Sequence, residues 1–290
     1  MNRSLTLAFL LSASAGLTAI AGTPAAPATV TPVPTSDASL LDTVGATLEV
    51  GYDTRYYHRG LWLADNMTWA GLNVQVPLSE KLSLGFSAFY TSTVQTLIPD
   101  GLGGDNNLSY AELDLSTSLT YDLGFAKAGL VYTHYEYFDT FSGSAGGASY
   151  GDGDGAVRGV NEVGLTLAKT VGPVNLYAGF YYDFTIGGSY FEVGADLPYK
   201  VTSWMSVVPA IKMGYGLDYY TNGQIPSGAS VSAPSSGFTH VLPSLSVPIK
   251  LTPTAFFTPY IAYNISMGAR HGLNSQDSEI FGGVKLSVSF

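Results

Sequence analysis

From Gly45 onward the sequence has a period of two, in which apolar side chains alternate with small or polar ones. In the stretch 280–290, for example, Leu286 shares one face of an extended chain with Val284, while Lys285 and Ser287 share the other. This spacing is that of side chains alternating across a β-sheet, and helical patterns are nearly absent. The sequence therefore predicts an all-β chain.

The alternation recurs in about twelve segments, each about ten to fourteen residues long, a length that suits a tilted membrane strand. Short turns such as Leu123-Gly124 and Gly172-Pro173 alternate with long polar connections. An even strand number with this alternation predicts a transmembrane antiparallel up-and-down β-barrel. The predicted strands lie near 45–57, 67–78, 81–94, 108–122, 125–138, 159–171, 174–186, 189–200, 204–219, 238–251, 254–267 and 278–290, and the long connections are 95–107, 139–158, 220–237 and 268–277.

The distribution of charge favours lipid on the outside of this barrel. Only 12% of the residues are charged, and almost every strand charge falls on the small, polar face. The alternative, a lipocalin-like barrel or a sandwich in water, would turn the apolar face inward and coat its outside with charge. Lys169 is the clearest exception, and it lies near a turn, where its stem can snorkel.

The N-terminal residues predict export. Asn2 and Arg3 precede an apolar stretch that ends in small residues at Ala21, as in a secretory signal peptide. We expect a signal peptide at 1–21, a Pro/Ala-rich periplasmic tether at 22–43 and the barrel at 44–290, in the bacterial outer membrane. The formal net charge of −10 argues against nucleic acid as a partner.

The chain ends have predicted positions and a predicted partner. Both ends of the barrel fall on the short-turn side, which places them in the periplasm and the long loops outside the cell. Aromatic residues near the strand ends, among them Tyr56, Tyr57 and Trp204, are expected to form interfacial girdles. The terminal strand ends in Phe290, which resembles the recognition signal of bacterial outer-membrane barrels and implies handling by the barrel-assembly machinery.

The inward positions are rich in Gly and Ser, which predicts room for water in the lumen. Two alternatives stay open: the small residues make way for bulky side chains such as Trp69, Phe89, Tyr177 and Tyr181, or internal salt bridges close the barrel. Inward acids come mainly from the first eight strands and inward lysines from the last four, so facing walls of opposite charge are expected. The predicted pore-lining residues near mid-membrane are Asp53, Arg55, Asp114, Asp196, Lys212 and Lys285.

Candidate catalytic and metal-binding motifs are weak. All four histidines, His58, His134, His240 and His271, map to the loop-side half, yet they show no paired-ligand spacing. Asp152 and Asp154 have the spacing of a calcium loop but lack its third ligand and distal Glu. We therefore expect no catalytic residue, no metal and no cofactor.

The first hairpin, GYDTRYYHRGLWLADNMTWAGLNVQVPL, resembles the start of the TorF (Gcw_chp) family of small bacterial outer-membrane barrels. In that family an early strand ends in an aromatic-rich segment that closes with Arg-Gly, here Tyr56-Tyr57-His58-Arg59-Gly60. The resemblance implies a porin-like barrel and supplies no catalytic residues.

Together these features predict a porin-like channel for passive diffusion of small polar solutes, and not an enzyme. The alternative is a closed structural or surface-interaction barrel that presents its loops to the outside. A third hypothesis, an enzyme at the outer rim, rests only on the histidines.

Overall fold

The computed structural model describes most of the predicted barrel. Predictions about the signal peptide, the tether, the Asp152 and Asp154 pair and His271 concern residues outside the described part. The described ranges are 44–94, 96–99, 105–108, 110–138, 159–185, 187–219, 236–268 and 278–290.

Every regular element in these ranges is a β-strand, and none of the described segments is a helix long and apolar enough to cross a membrane. Twelve long strands build one sheet, two short strands (β11 and β14) extend it, and β4 and β5 form a separate two-stranded hairpin. The strands are β1 (Gly45–His58), β2 (Leu61–Pro77), β3 (Leu82–Thr93), β4 (Thr96–Pro99), β5 (Asp105–Leu108), β6 (Ala111–Asp122), β7 (Lys127–Tyr137), β8 (Gly159–Val171), β9 (Val174–Asp183), β10 (Gly188–Asp196), β11 (Tyr199–Lys200), β12 (Ser206–Leu217), β13 (Gly237–Ser246), β14 (Ile249–Lys250), β15 (Ala255–Ser266) and β16 (Ser278–Ser289).

The sheet closes into a barrel because the last strand pairs with the first. β16 is antiparallel to β1, with Val288 opposite Leu48, and β10 is antiparallel to β12, so the long strands form a complete ring. The backbone of Ala46 and that of Phe290 exchange two hydrogen bonds, of 2.9 and 3.0 Å. The prediction of a twelve-stranded antiparallel up-and-down barrel is confirmed.

The two ends of the barrel differ. At one end, which we call the turn end, short connections join β2 to β3, β6 to β7 and β8 to β9, and both described chain ends lie there. At the other end, the loop end, the connections at 94–110, 138–158, 218–236 and 267–277 are longer.

The outer face of the barrel is apolar. Leu286 and Ile261, which would converge in the interior of a sandwich or lipocalin-like barrel, are both exposed on the outside, and Leu165 in the middle of β8 is 57% exposed. The side chains that alternate with them are mostly buried or partly buried polar groups. Such an inversion is stable where hydrocarbon replaces water around the barrel. Lys169, at the outer face near a turn, lies 6.0 Å from the ring centre of Phe125.

The first hairpin differs from the prediction. The sequence indicated a loop between strands ending at 57 and starting at 67, but β1 and β2 continue to a two-residue turn at Arg59 and Gly60. Both turn residues have positive φ, 51° and 83°, as a tight β-hairpin turn requires. A register shift between Tyr56 and Tyr57 interrupts the alternation, which is why the pattern in the sequence appeared to stop there.

Candidate pore and the hairpin that closes it

The lumen has two unlike halves. Toward the turn end, small polar side chains on neighbouring strands hydrogen-bond to one another, as Ser116 does with Thr133 (2.9 Å) and Gln75 with Ser83 (2.9 Å). Several inward residues here, including Ser83, Ser87, Ser116, Ser118, Thr166 and Ser287, stay partly exposed. Since they face away from the apolar outside, this exposure is to the interior of the barrel.

The loop-end half is filled by the tip of the first hairpin. Side chains on both strands near its turn are buried, although they lie at the end of a hairpin that would normally project into solvent. The buried residues are Tyr56, Tyr57, Arg59, Leu61, Trp62, Ala64 and Met67, all at 8% exposure or less. The hairpin tip therefore bends into the lumen and occupies its loop-end mouth.

The bulge in β1 explains how one hairpin can fill the width of the mouth. Tyr56 packs with Ala64, Met67 and Tyr110 on one side. The next residue, Tyr57, packs on the other side against β13, β15 and β16. Because the bulge turns two consecutive residues inward, the tip contacts opposite parts of the wall at once.

Arg59 at the tip is clamped to a distant strand. Its two terminal nitrogens bind the Glu162 carboxylate of β8 at 2.5 and 2.7 Å, a two-pronged ion pair, and one of them also donates to the hydroxyl of Tyr219. Glu162 lies five strands from β1 around the barrel. The guanidinium is fully enclosed, with no exposed side-chain surface. The clamp therefore holds the tip across the lumen.

Three tyrosine rings surround the same guanidinium. The central carbon of Arg59 lies 4.8 Å from the ring centre of Tyr181, 4.6 Å from that of Tyr190 and 5.1 Å from that of Tyr219. Ring faces attract cations, more strongly where water is excluded. The adjacent residue Gly60 lies against His240 of β13, whose Cβ would be 2.8 Å from a Cβ built on Gly60.

The structure places the six predicted pore-lining residues in three groups on the wall, and not in a single ring. Asp53 and Lys285 lie at the β1–β16 seam, where Asp53 accepts a 2.6 Å hydrogen bond from the Tyr260 hydroxyl and Lys285 pairs with Glu49 at 2.9 Å. Both are almost fully buried.

The second group lies where β10 meets β12. Lys212 pairs with Glu192 at 3.2 Å, and Asp196 accepts a 2.8 Å hydrogen bond from the Asn175 amide. The two lysines thus neutralise acids on the strands next to them. At these two seams, where the strands that carry the inward acids join those that carry the lysines, opposite charges are paired across neighbouring strands.

The remaining two residues lie toward the loop end. Arg55 forms salt bridges with Asp65 and Glu279, and its side chain is 24% exposed. Asp114 on β6 is buried, and no hydrogen-bond donor among the described residues reaches either of its carboxylate oxygens.

The glycines of the lumen correct another expectation. Many of them make space for aromatic rings and not for water: a side chain on Gly51 would collide with Trp69, one on Gly194 with Tyr177 and one on Gly214 with Tyr190. The open alternative of inward bulky residues is therefore the one that the structure supports at these positions.

The predicted aromatic girdle is found at the turn end and in part at the loop end, where Tyr90 and Phe184 are exposed on the outside. Tyr121, Tyr199 and Trp204 at the turn end are exposed on the outside, as expected of a girdle. Tyr56 and Tyr57, also assigned to a girdle, belong to the hairpin tip inside the lumen, as do the Tyr190 and Tyr219 rings around Arg59.

Sequence reasoning missed the Arg59 clamp. One feature of the sequence indicated the hairpin: Arg59-Gly60 lies between two runs of aromatic and apolar residues, as a two-residue hairpin turn does. Its partners could not be identified, because Glu162 and Tyr219 lie more than a hundred residues further along the chain.

The described histidines have structural partners. His240 is buried and shares a 2.9 Å hydrogen bond with the neighbouring Thr239 hydroxyl. His134 lies on the outer face, 2.9 Å from Asn161 and 3.3 Å from a Glu136 oxygen. Within the described ranges, no group of three or more His, Asp or Glu side chains is arranged to hold a metal ion.

Comparison with solved structures agrees with this architecture. The COG4313 outer-membrane channel from Pseudomonas putida F1 superposes with a TM-score of 0.51 at 13% identity, over 89% of this chain and all of that one. The translocator domain of the autotransporter NalP from Neisseria meningitidis (TM-score 0.48, 11% identity, 85% and 88% of the two chains) and the KdgM porin (0.43, 6%, 84% and 98%) are more distant.

At these identities the likeness shows the fold alone, a small barrel of the outer-membrane type. No protein-family model matches the chain, and no curated protein matches it. The resemblance of the first hairpin to the TorF family therefore stays a prediction.

Proposed function

We propose that this protein is a porin-like channel of the bacterial outer membrane, through which small polar solutes diffuse passively. The observation that carries the proposal is the construction of the closure. A single hairpin tip fills one half of the lumen, and below it the lumen is lined by small polar side chains together with inward rings such as that of Tyr177. The hairpin tip is fixed across the lumen by the ion pair and the three aromatic contacts of Arg59, together with the packing of Tyr56 and Tyr57 against the wall. Its release would join the polar half to the outside.

In this proposal the predicted pore-lining residues set the selectivity of the passage once it opens. Asp53, Asp196, Lys212 and Lys285 lie below or beside the tip. The outer membrane lipid surrounds the apolar face, and Phe290 at the end of the sequence serves as the contact for the barrel-assembly machinery. The long loop end faces the outside of the cell.

One observation favours a second candidate, the closed barrel that presents its loops. The Arg59–Glu162 pair is enclosed, and buried ion pairs with two hydrogen bonds hold their geometry firmly. In that case the hairpin tip would be a permanent core. None of the described contacts favours the third hypothesis, an enzyme at the rim.

Liposome swelling with sugars and amino acids tests the proposal. We expect slow uptake by the wild-type barrel and faster uptake by Arg59→Ala, in which the clamp is lost. Lys169→Ala is the control, because it removes a basic side chain from the outer face near a turn and leaves the lumen and the clamp unchanged. If both the wild type and Arg59→Ala are folded in the vesicles and impermeable, the closed-barrel candidate is correct and the channel is not.

A further inference from the structure

Below the Arg59 clamp, three carboxylates share a single basic side chain. Glu112 and Asp114 project inward from β6, and Glu162 projects inward from β8, close enough to interact electrostatically with Asp114. Arg59 gives both of its terminal nitrogens to Glu162. Among the described residues no salt bridge joins Glu112 or Asp114 to a lysine or arginine. The cluster therefore has more negative charge than positive charge.

Asp114 is the unusual member of the cluster. Asp114 is only 1% exposed, and neither of its carboxylate oxygens has a hydrogen-bond donor in the described part of the chain. A buried carboxylate without a partner is costly and is found mainly where something else compensates the charge. Asp114 therefore indicates a missing positive partner.

Glu112 points toward the same space. One of its oxygens accepts hydrogen bonds from the hydroxyls of Tyr56 (2.8 Å) and Tyr110 (2.7 Å), which stabilise a negative charge there. Its other oxygen has no donor, and the two carboxyl groups are neighbours on the inward face of β6, two residues apart. Two ionised carboxylates have only acceptor atoms, so a cation between them satisfies both.

We propose that Asp114 and Glu112 form a binding site for one small monovalent cation, either an alkali ion or the ammonium group of a solute. The residues directly opposite Asp114 on the adjacent strands are Phe89 and Tyr135, and aromatic rings suit a monovalent or organic cation.

The site lies next to the polar half of the lumen. Ser116, the next inward residue on β6, is partly exposed, so the polar half of the lumen extends to within one inward position of Asp114. On the other side lies the hairpin tip, whose Tyr56 hydroxyl binds Glu112. A role of this site in transport rests on the proposed channel function. In an open channel the site would favour the passage of cations over anions. As a binding site it does not depend on conduction.

Urea-induced unfolding of the full barrel in detergent micelles tests the site directly. Urea is suitable because it is uncharged, whereas guanidinium would compete as a cation. The wild type is compared in potassium chloride, methylammonium chloride and N-methylglucamine chloride at equal ionic strength, because the last cation is far larger than the other two and should not bind between two buried carboxylates. A cation at ten times its dissociation constant raises the folded-to-unfolded ratio about elevenfold.

We expect the unfolding midpoint of the wild type to be higher in potassium or methylammonium than in N-methylglucamine. The cation that raises the midpoint more shows whether the site prefers an alkali ion or an ammonium group. Asp114→Asn should lose this difference. Glu80→Gln, which removes a carboxylate from an exposed turn outside the lumen, should keep it. Asp114→Asn should also be no less stable than the wild type in N-methylglucamine, because its buried charge is gone.

A wild-type midpoint that is the same in all three salts would mean that Glu112 and Asp114 share a proton, and it would overturn the site. So would a cation effect that persists in Asp114→Asn. The test separates the site from the channel: a barrel that shows the cation effect but no solute uptake refutes only the channel. One that takes up solutes without the cation effect refutes only the site.

Discussion

Arg59 and Glu162 join the tip of the first hairpin to a strand five positions away around the barrel, with nitrogen-to-oxygen distances of 2.5 and 2.7 Å. The pair links residues 103 apart in the sequence. This contact holds the hairpin tip inside the lumen, because the turn residues themselves would otherwise prefer solvent.

The first prediction concerns the stability that this pair confers. Replacing Arg59 by Ala leaves Glu162 buried without its partner, and removal of one partner of a buried pair costs about 3–5 kcal/mol. We expect a loss of that size in the free energy of unfolding, measured by urea titration in detergent micelles. Arg55→Ala is the control, since its pairs are partly exposed and such pairs contribute about 0–1 kcal/mol. Equal losses for the two variants would contradict the clamp.

The second prediction tests whether the tip must move for solutes to pass. The chain has no cysteine, so the double variant Gly60→Cys with His240→Cys introduces the only two thiols. A Cβ on Gly60 would lie 2.8 Å from the Cβ of His240, and a shift of about 1 Å gives the spacing usual in disulfides. We expect oxidation to abolish solute uptake into liposomes and a reductant to restore it.

Each single-cysteine variant provides the control for that experiment. It carries the same change at one position but cannot form the bridge within one barrel, so its uptake should not respond to oxidation. Uptake that continues unchanged in the oxidised double variant would show that solutes bypass the hairpin or that the tip is already outside the path.

Much of the barrel could be predicted because its pattern is local. Leu286 and Lys285 alternate within one strand, and the side each faces follows from the period of two together with the shortage of charge. The strand number, the closure and the lipid-facing positions all depend on such neighbouring residues. The structure differs from those expectations by only a few residues at most strand ends.

The inward position of the hairpin tip could not be predicted in the same way. At Tyr56 and Tyr57 the alternation breaks, and a break in the pattern looks the same whether the chain forms an external loop or folds inward. What distinguishes the two is the pairing of Arg59 with Glu162, a contact between distant strands that exists only once the barrel has closed. The pairing of inward charges at the seam could not be predicted for a related reason: Lys285 and Glu49 become neighbours through the pairing of the last strand with the first.

The third prediction concerns the lipid-facing surface. Leu165 lies at the middle of β8 on the outside and is 57% exposed. An arginine at mid-membrane on the outer face of a barrel costs about 2–4 kcal/mol, and one near the interface costs about 0–1 kcal/mol. We therefore expect Leu165→Arg to destabilise the barrel folded in lipid vesicles far more than Val171→Arg, at the turn end of the same strand. Equal effects would contradict the placement of β8 across a bilayer.

The fourth prediction concerns Gly283, where the last strand passes the inward side chain of Asp53. A Cβ at this position would collide with Asp53 and with the backbone carbonyl oxygen of Tyr52. The carbonyl belongs to the β1–β16 ladder and cannot rotate away, so Gly283→Ala has to shift one of the two strands that close the barrel. Overpacking of this kind costs about 1–3 kcal/mol.

Gly71→Ala is the matched control, because it adds the same methyl group to another lumen strand. There the nearest atoms would be a ring carbon of Phe89 at 3.7 Å and a carbonyl oxygen at 3.9 Å, which are ordinary contacts. We expect the free energy of unfolding in urea to fall for Gly283→Ala and to stay within about 0.5 kcal/mol of the wild type for Gly71→Ala. The difference follows from backbone geometry at the closing seam, so a Gly283→Ala barrel as stable as the wild type would mean that β1 and β16 meet in another register.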